Sequence, residues 1–134
     1  MDPGSDQIAP IAKKHGIILL LRFGSSVTGT LHKHSDVDLA VLLECVPRSL
    51  EAHGELLHDL QQLFPNREVD VAIINRADPL FLKKITEACH LLYGSVRALQ
   101  QLKIYAFKRY QDHRRYLELE RKYVERSLEA FAAP

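Results

Sequence analysis

The sequence predicts an α/β chain of the α+β kind: a mixed β-sheet packed against helices, with a long helix at its C-terminal end. Three observations predict it. Short β-rich apolar runs alternate with helical patterns in the order α-β-β-α-β-α-β-α, which is the arrangement of a sheet covered by helices. The run Ile17–Phe23 is almost continuously apolar, as a strand buried on both faces must be. The stretch from Ser95 to Ala133 contains neither glycine nor proline and carries apolar residues three, four and seven apart.

The elements follow in order. Asp6 is placed to cap a first helix that holds Pro10 near its first turn and stops at Gly16 after Lys13, Lys14 and His15. Strand Ile17–Phe23 leads into a small-residue turn, Gly24-Ser25-Ser26-Val27-Thr28-Gly29-Thr30, then a polar loop, then a second strand from about Asp36 to Leu43. Leu50–Phe64 reads as an amphipathic helix with Leu56, Leu57, Leu60, Leu63 and Phe64 on one side. Glu68–Ile74 is a third strand. Asp78-Pro79 pairs a cap with a proline at the first helical position, so a helix starts there and runs to about His90. A short strand, Leu91–Tyr93, precedes a break at Gly94. The last helix places Leu99, Leu102, Ala106, Tyr110, His113, Leu117, Val124, Leu128 and Phe131 along one stripe. At 1.5 Å per residue it reaches about 55 Å, longer than the body is wide, so its far end is expected to pack on something else.

The chain has 134 residues, 46% of them hydrophobic and 26% charged, which suits one ordinary folded domain with a core of about 7–94 and a C-terminal helix of about 95–131. No apolar run approaches the length of a membrane span, and the N-terminus lacks the basic and apolar regions of a secretory signal, so a cytoplasmic protein is expected. Cys45 and Cys89 offer no disulfide framework and read as two small buried hydrophobes in a reducing compartment. The formal charge of +1 is too near neutral for a general nucleic-acid binder. It is unevenly spread: residues 1–96 hold nine basic and twelve acidic groups, residues 97–134 nine basic and five acidic. The tail's charges interleave with Glu118, Glu120 and Glu125, as on a solvated helix. Tyr105, Tyr110, Tyr116 and Tyr123 are the amphipathic anchors that protein interfaces use. No direct nucleic-acid binding is expected.

The informative constellation is Gly24-Ser25, ten residues, then Asp36-Val37-Asp38. Residues two apart in a strand share a face, so two carboxylates project together, about 6–7 Å apart at Cβ. Like charges that close repel unless a cation joins them. Hard oxygen ligands at this spacing suit Mg²⁺, which takes one or two carboxylates together with substrate phosphates. A glycine-led turn directly after a buried strand presents backbone N–H groups to a phosphate. Asp70, embedded in Glu68-Val69-Asp70-Val71-Ala72, is a third acid if its strand neighbours the second. Three carboxylates and two Mg²⁺ would stabilise both the attacking and the leaving oxygen of an in-line displacement at phosphorus.

The signature Gly-Ser-x10-Asp-x-Asp resembles that of the DNA polymerase beta-like nucleotidyltransferases. The strings GSSVTGTLHKHSDVDLAVLL and DPLFLKKITEACHLLYGS resemble its minimal nucleotidyltransferase branch, and within it the MntA-like adenylyltransferase antitoxins of type VII toxin–antitoxin pairs. The resemblance covers about residues 8–130 and implies that fold. It implies Asp36, Asp38 and Asp70 as metal-binding and catalytic acids, and a nucleotide-binding turn of Gly24, Ser25, Ser26 and Thr28. It also implies Mg²⁺ with ATP as substrate, and transfer of AMP to a hydroxyl, a tyrosine by family, of a HEPN-family ribonuclease toxin in a hetero-oligomer. Many relatives have arginine where this chain has Thr28, so Lys33, Arg22 or another base is needed beside the phosphates. Two other readings stay open: a small-molecule nucleotidyltransferase of the aminoglycoside-modifying type, and a non-catalytic antitoxin that acts by binding alone. Arg109 and His113 have the spacing Arg-x3-His, one residue short of the HEPN nuclease pattern, and the strands argue against that fold.

Overall fold

In a computed structural model, residues 2–24 and 37–132 are described. The elements are α1 (Ser5–His15), β1 (Ile17–Phe23), β2 (Val37–Leu43), α2 (Leu50–Gln62), β3 (Val69–Ile73), α3 (Pro79–Glu87), β4 (Cys89–Tyr93) and α4 (Val96–Ala132). The sheet order is β3-β2-β1-β4. β1 lies antiparallel to both β2 and β4, while β2 and β3 are parallel, joined across α2.

Alternate strand residues feed two separate cores. Ile17, Leu20, Val37, Leu39, Val41 and Leu43 face α1 and α2, where they meet Ile8, Ala12, Leu56 and Leu60. Leu19, Leu21 and Ala40 face α3 and α4, against Leu82, Ile85, Leu102 and Ala106. Side chains as well as backbone hold β3 in place. The Asn75 amide donates to the Leu43 carbonyl (2.6 Å) and accepts from the Leu43 N–H (3.0 Å), extending β3 past its last residue. At the other end the Gln61 amide accepts from the Val69 N–H (3.1 Å) and donates to the carbonyls of Phe64 and Arg67.

Three sequence expectations are corrected. The cap of α1 is Gly4, whose carbonyl accepts from the Gln7 and Ile8 N–H groups; Asp6 sits in the first turn, where a carboxylate suits the positive helix end. β4 starts at Cys89 rather than Leu91, because Cys89 and His90 pair with Phe23 and Arg22. Cys45 is exposed and Cys89 half-buried, so neither is a core residue.

Candidate active site

Gly24, Asp38 and Asp70 meet at one end of the sheet, where β1 finishes and β2 and β3 begin. Asp38 pairs with Phe23 across β1 and with Asp70 across β3. Directly paired residues on neighbouring strands point to the same side at a strand spacing of about 4.8 Å, so the two carboxylates stand side by side. They sit on the α3 side, opposite in pleat to Leu39 and Val71. Asp38 is half-buried. Asp70, on the edge strand, is exposed, so the expectation of a buried carboxylate there is corrected: the parallel register, and not burial, brings it to Asp38.

Gly24 follows β1 immediately. Its φ of +84° is a conformation that side-chain-bearing residues rarely adopt, and a Cβ there would collide with the Asp38 carboxylate. Glycine thus serves the turn twice, in conformation and in proximity. Ser25, Ser26, Thr28, Lys33 and Asp36, with His32 and His34, lie outside the described residues.

Gly24, Asp38 and Asp70 line a cleft of about 560 Å³, closed on its other sides by Phe23, Val71, Ala72, Phe81, Lys84 and Ala88. That is within the usual range for a small-molecule site. Phe23 and Phe81 meet edge to face, ring centres 5.8 Å apart at 78°, and make one apolar wall.

Lys84 is the feature that sequence reasoning missed. Phe81 and Lys84 are three residues apart along α3 and so share the face that overlooks the cleft, with Ala88 just past the end of the helix. Its ammonium makes no ion pair among the described residues, whereas its neighbour Lys83 is held by Glu87 and lies over the Tyr110 ring. The spacing from the Asp78 cap carried the signal, but only with the sheet beneath it does that face acquire a destination. Arg22, one of the bases considered as a phosphate partner, points to the opposite face beside Leu39 and His90 and is bound to Asp2.

Chemically, the cleft offers two adjacent hard oxygen donors, a lysine across from them and an apolar wall. Among the described residues no third His, Cys, Asp or Glu joins the pair. Burial pushes the thiol of Cys89, next in sequence to Ala88 of the cleft, above its ordinary value.

Comparison with known proteins bears on the fold and the family. The family model "Polymerase beta, Nucleotidyltransferase" matches residues 6–97, well over half of the chain. No curated protein sequence matches it. Among solved structures, a toxin–antitoxin complex with AMP-PNP contains a chain with TM-score 0.69 and 22% identity, covering 95% of this chain and 99% of that one. An MNT antitoxin in complex with a tri-AMPylated HEPN toxin from Shewanella oneidensis is similar at TM-score 0.62 and 19% identity, over 93% of this chain and 95% of that chain. The spectinomycin adenyltransferase AAD(9) from Enterococcus faecialis reaches TM-score 0.54 and 16% identity, over 72% of this chain but 57% of its own. With a family match spanning the whole sheet and all but the far helix, this chain belongs to the polymerase beta-type nucleotidyltransferases and is a transferase.

Proposed function

We propose that the protein transfers AMP from ATP to a hydroxyl group on a partner protein, a HEPN-family ribonuclease toxin, and acts as its antitoxin in a hetero-oligomer. The observation that carries the reading is the side-by-side placement of Asp38 and Asp70 next to Gly24 in one cleft. Two carboxylates in register are a donor set that fits Mg²⁺. Asp38 and Asp70, with Asp36 two residues before Asp38, would hold it. Bound there, Mg²⁺ supplies charge neutralisation for the triphosphate.

In this reading the acceptor oxygen attacks the α-phosphorus, the bond to the β-phosphate oxygen breaks, and pyrophosphate leaves with the displaced electron pair. The hydroxyl proton passes to a carboxylate, for which exposed Asp70 is placed. Gly24, with Ser25, Ser26 and Thr28 after it in the sequence, would bind the phosphates. Lys84 provides the positive charge that Thr28 does not, and the Phe23–Phe81 wall gives the nucleotide an apolar surface.

A protein acceptor is supported by the likeness to antitoxins over almost their whole length, against 57% of the antibiotic-modifying enzyme. Arg114 and Arg121 on the tail are matched by Glu118 and Glu125 of the same helix, which supports a reading without a nucleic-acid surface. No described helix is long and apolar enough to cross a membrane. A single domain working in the cytoplasm fits the use of ATP.

The test is mass spectrometry of the toxin after incubation with this protein, ATP and Mg²⁺, beside a parallel reaction with spectinomycin. One or more AMP additions to the toxin are expected, and their loss with Asp38→Asn plus Asp70→Asn. Unmodified toxin with a nucleotidylated antibiotic would move the reading to small-molecule chemistry. Full neutralisation by the double variant would make it occlusion.

A further inference from the structure

The long helix α4 raises a problem that the cleft does not solve. Leu102 and Ala106 are its only buried residues, and beyond Tyr110 every described residue but half-buried His113 is exposed. The stripe that packs on the body through Leu99, Leu102 and Ala106 continues without a change of face as Tyr110, His113, Leu117, Val124, Leu128 and Phe131. Leu117 is 45% exposed, Val124 46% and Phe131 92%. An apolar stripe running straight on from a packed interface into solvent marks a contact left incomplete.

The spacing of that stripe says what completes it. The intervals along Tyr110, His113, Leu117, Val124, Leu128 and Phe131 are three, four, seven, four and three, which read the same in both directions. Two copies laid antiparallel about a point between Glu120 and Arg121 therefore match apolar group to apolar group at each level. Tyr110 meets Phe131, His113 meets Leu128, and Leu117 meets Val124. In the central gap, Glu120 of each copy faces Arg121 of the other, so the one polar layer is charge-complementary and occurs twice. The pair Arg114–Glu118 edges the stripe, and Arg121 of the central layer also reaches Glu125 of its own helix (3.8 Å).

Tyr110 to Phe131 is 21 residues, or about 31 Å of helix, so Phe131 of one copy reaches the Tyr110 level of the other. At that level a cavity of about 200 Å³ lies between α3 and α4, lined by Lys83, Thr86, Glu87, Lys103, Phe107 and Tyr110. It receives the most exposed aromatic of the stripe.

We infer that residues 110–131 of α4 are the dimerisation element of this protein, pairing antiparallel with a second copy and seating Phe131 in the α3–α4 cavity. With roughly 100 Å² buried by each of six stripe side chains on each copy, the contact totals about 1,200 Å², the lower edge of the range for specific interfaces. The dimer is accordingly concentration-dependent. The site of nucleotide chemistry lies on the sheet, so the inference stands or falls apart from the adenylyl-transfer reading.

Sedimentation velocity on the purified full chain tests it. The wild-type mass rises toward twice that of one chain with concentration, and Leu117→Asp or Val124→Asp holds the chain as a monomer. Leu119→Asp, on the far side of the helix, leaves the dimer intact. Glu120→Arg and Arg121→Glu each weaken association about tenfold by placing like charges across the central layer. Mixing the two variants restores it, a rescue that a misfolded helix would not give. In a Cys45→Ser background, Tyr110→Cys and Phe131→Cys chains form a disulfide with each other and not each with itself, which sets the antiparallel direction. A wild-type chain that stays monomeric at all concentrations, a dimer indifferent to Leu117→Asp, or cross-linking of each variant to itself overturns the proposal.

Discussion

The two faces of the sheet use alternate residues of the same strands and are finished differently. On the α1–α2 face, Leu20, Leu39, Val41 and Leu43 are buried along the whole length of β1 and β2. On the α3–α4 face only the middle, Leu19, Leu21 and Ala40, is covered, and the end holding Phe23, Asp38 and Asp70 is left as a cleft. Both faces bury a core, but the open face gives up burial at one end and keeps two carboxylates there side by side. Stability and chemistry are thus separated by a single step along a strand.

Neighbouring residues offer the sharpest way to break that division. Leu39 is wholly buried on the closed face, and Leu39→Ala is expected to cost about 2–5 kcal/mol through lost burial and the cavity left behind. Asp70, one strand over on the open face and exposed, can become Asn with a change within about 0.5 kcal/mol. Chemical denaturation of both variants beside a transfer assay should show Leu39→Ala unstable and Asp70→Asn stable but inactive. A destabilised Asp70→Asn protein would show that the open face also holds the fold together.

Gly24→Ala tests the boundary between the faces, and its expected effect is the next largest. A left-handed backbone costs a non-glycine residue about 1–2 kcal/mol, and the new methyl group must displace the Asp38 carboxylate. Melting should report the first of these. Nucleotide binding should fall further than the melting temperature alone accounts for, because the displaced group belongs to the site.

Much of this arrangement was legible in the sequence, for physical reasons that differ by residue. The first strand declared itself through an apolar run between Gly16 and Gly24, α3 through Asp78-Pro79, and α4 through 37 residues without a helix breaker. The acids of β2 and β3 stood out because a carboxylate between apolar neighbours needs a reason. What placed them together was not legible: Asp38 opposite Asp70 is a fact of parallel register, in which Asn75 bonds Leu43 across to β2. Lys84 was hidden likewise, since a lysine on an amphipathic helix looks solvated until the helix is laid over a cleft. The start of β4 was misplaced because nothing between Glu87 and Cys89 breaks a helix; pairing with β1 decides it. The exposure of Cys45 follows from a connecting segment that composition does not mark.

The closed face also carries the smallest expected effect, at its rim. Asp59 on α2 accepts from His15 (2.7 Å) and Lys14 (3.0 Å) at the end of α1, and Lys14 also reaches Glu55 (2.7 Å). The His15 hydrogen bond, then that of Lys14, holds the Asp59 carboxyl below its ordinary value of 3.8. A carboxylate whose folded value is depressed adds stability that is present above the unfolded value and is lost as pH falls through the folded one. Asp59→Asn should therefore lower the melting temperature at neutral pH by roughly 1–4 °C, a small figure because the cluster is partly exposed and screened. The gap between variant and wild type should close as the solution is acidified below the folded value of Asp59. Raising the salt at neutral pH should narrow it too, whereas a gap that survives both acid and salt would mean that Asp59 joins α1 to α2 by packing and not by charge.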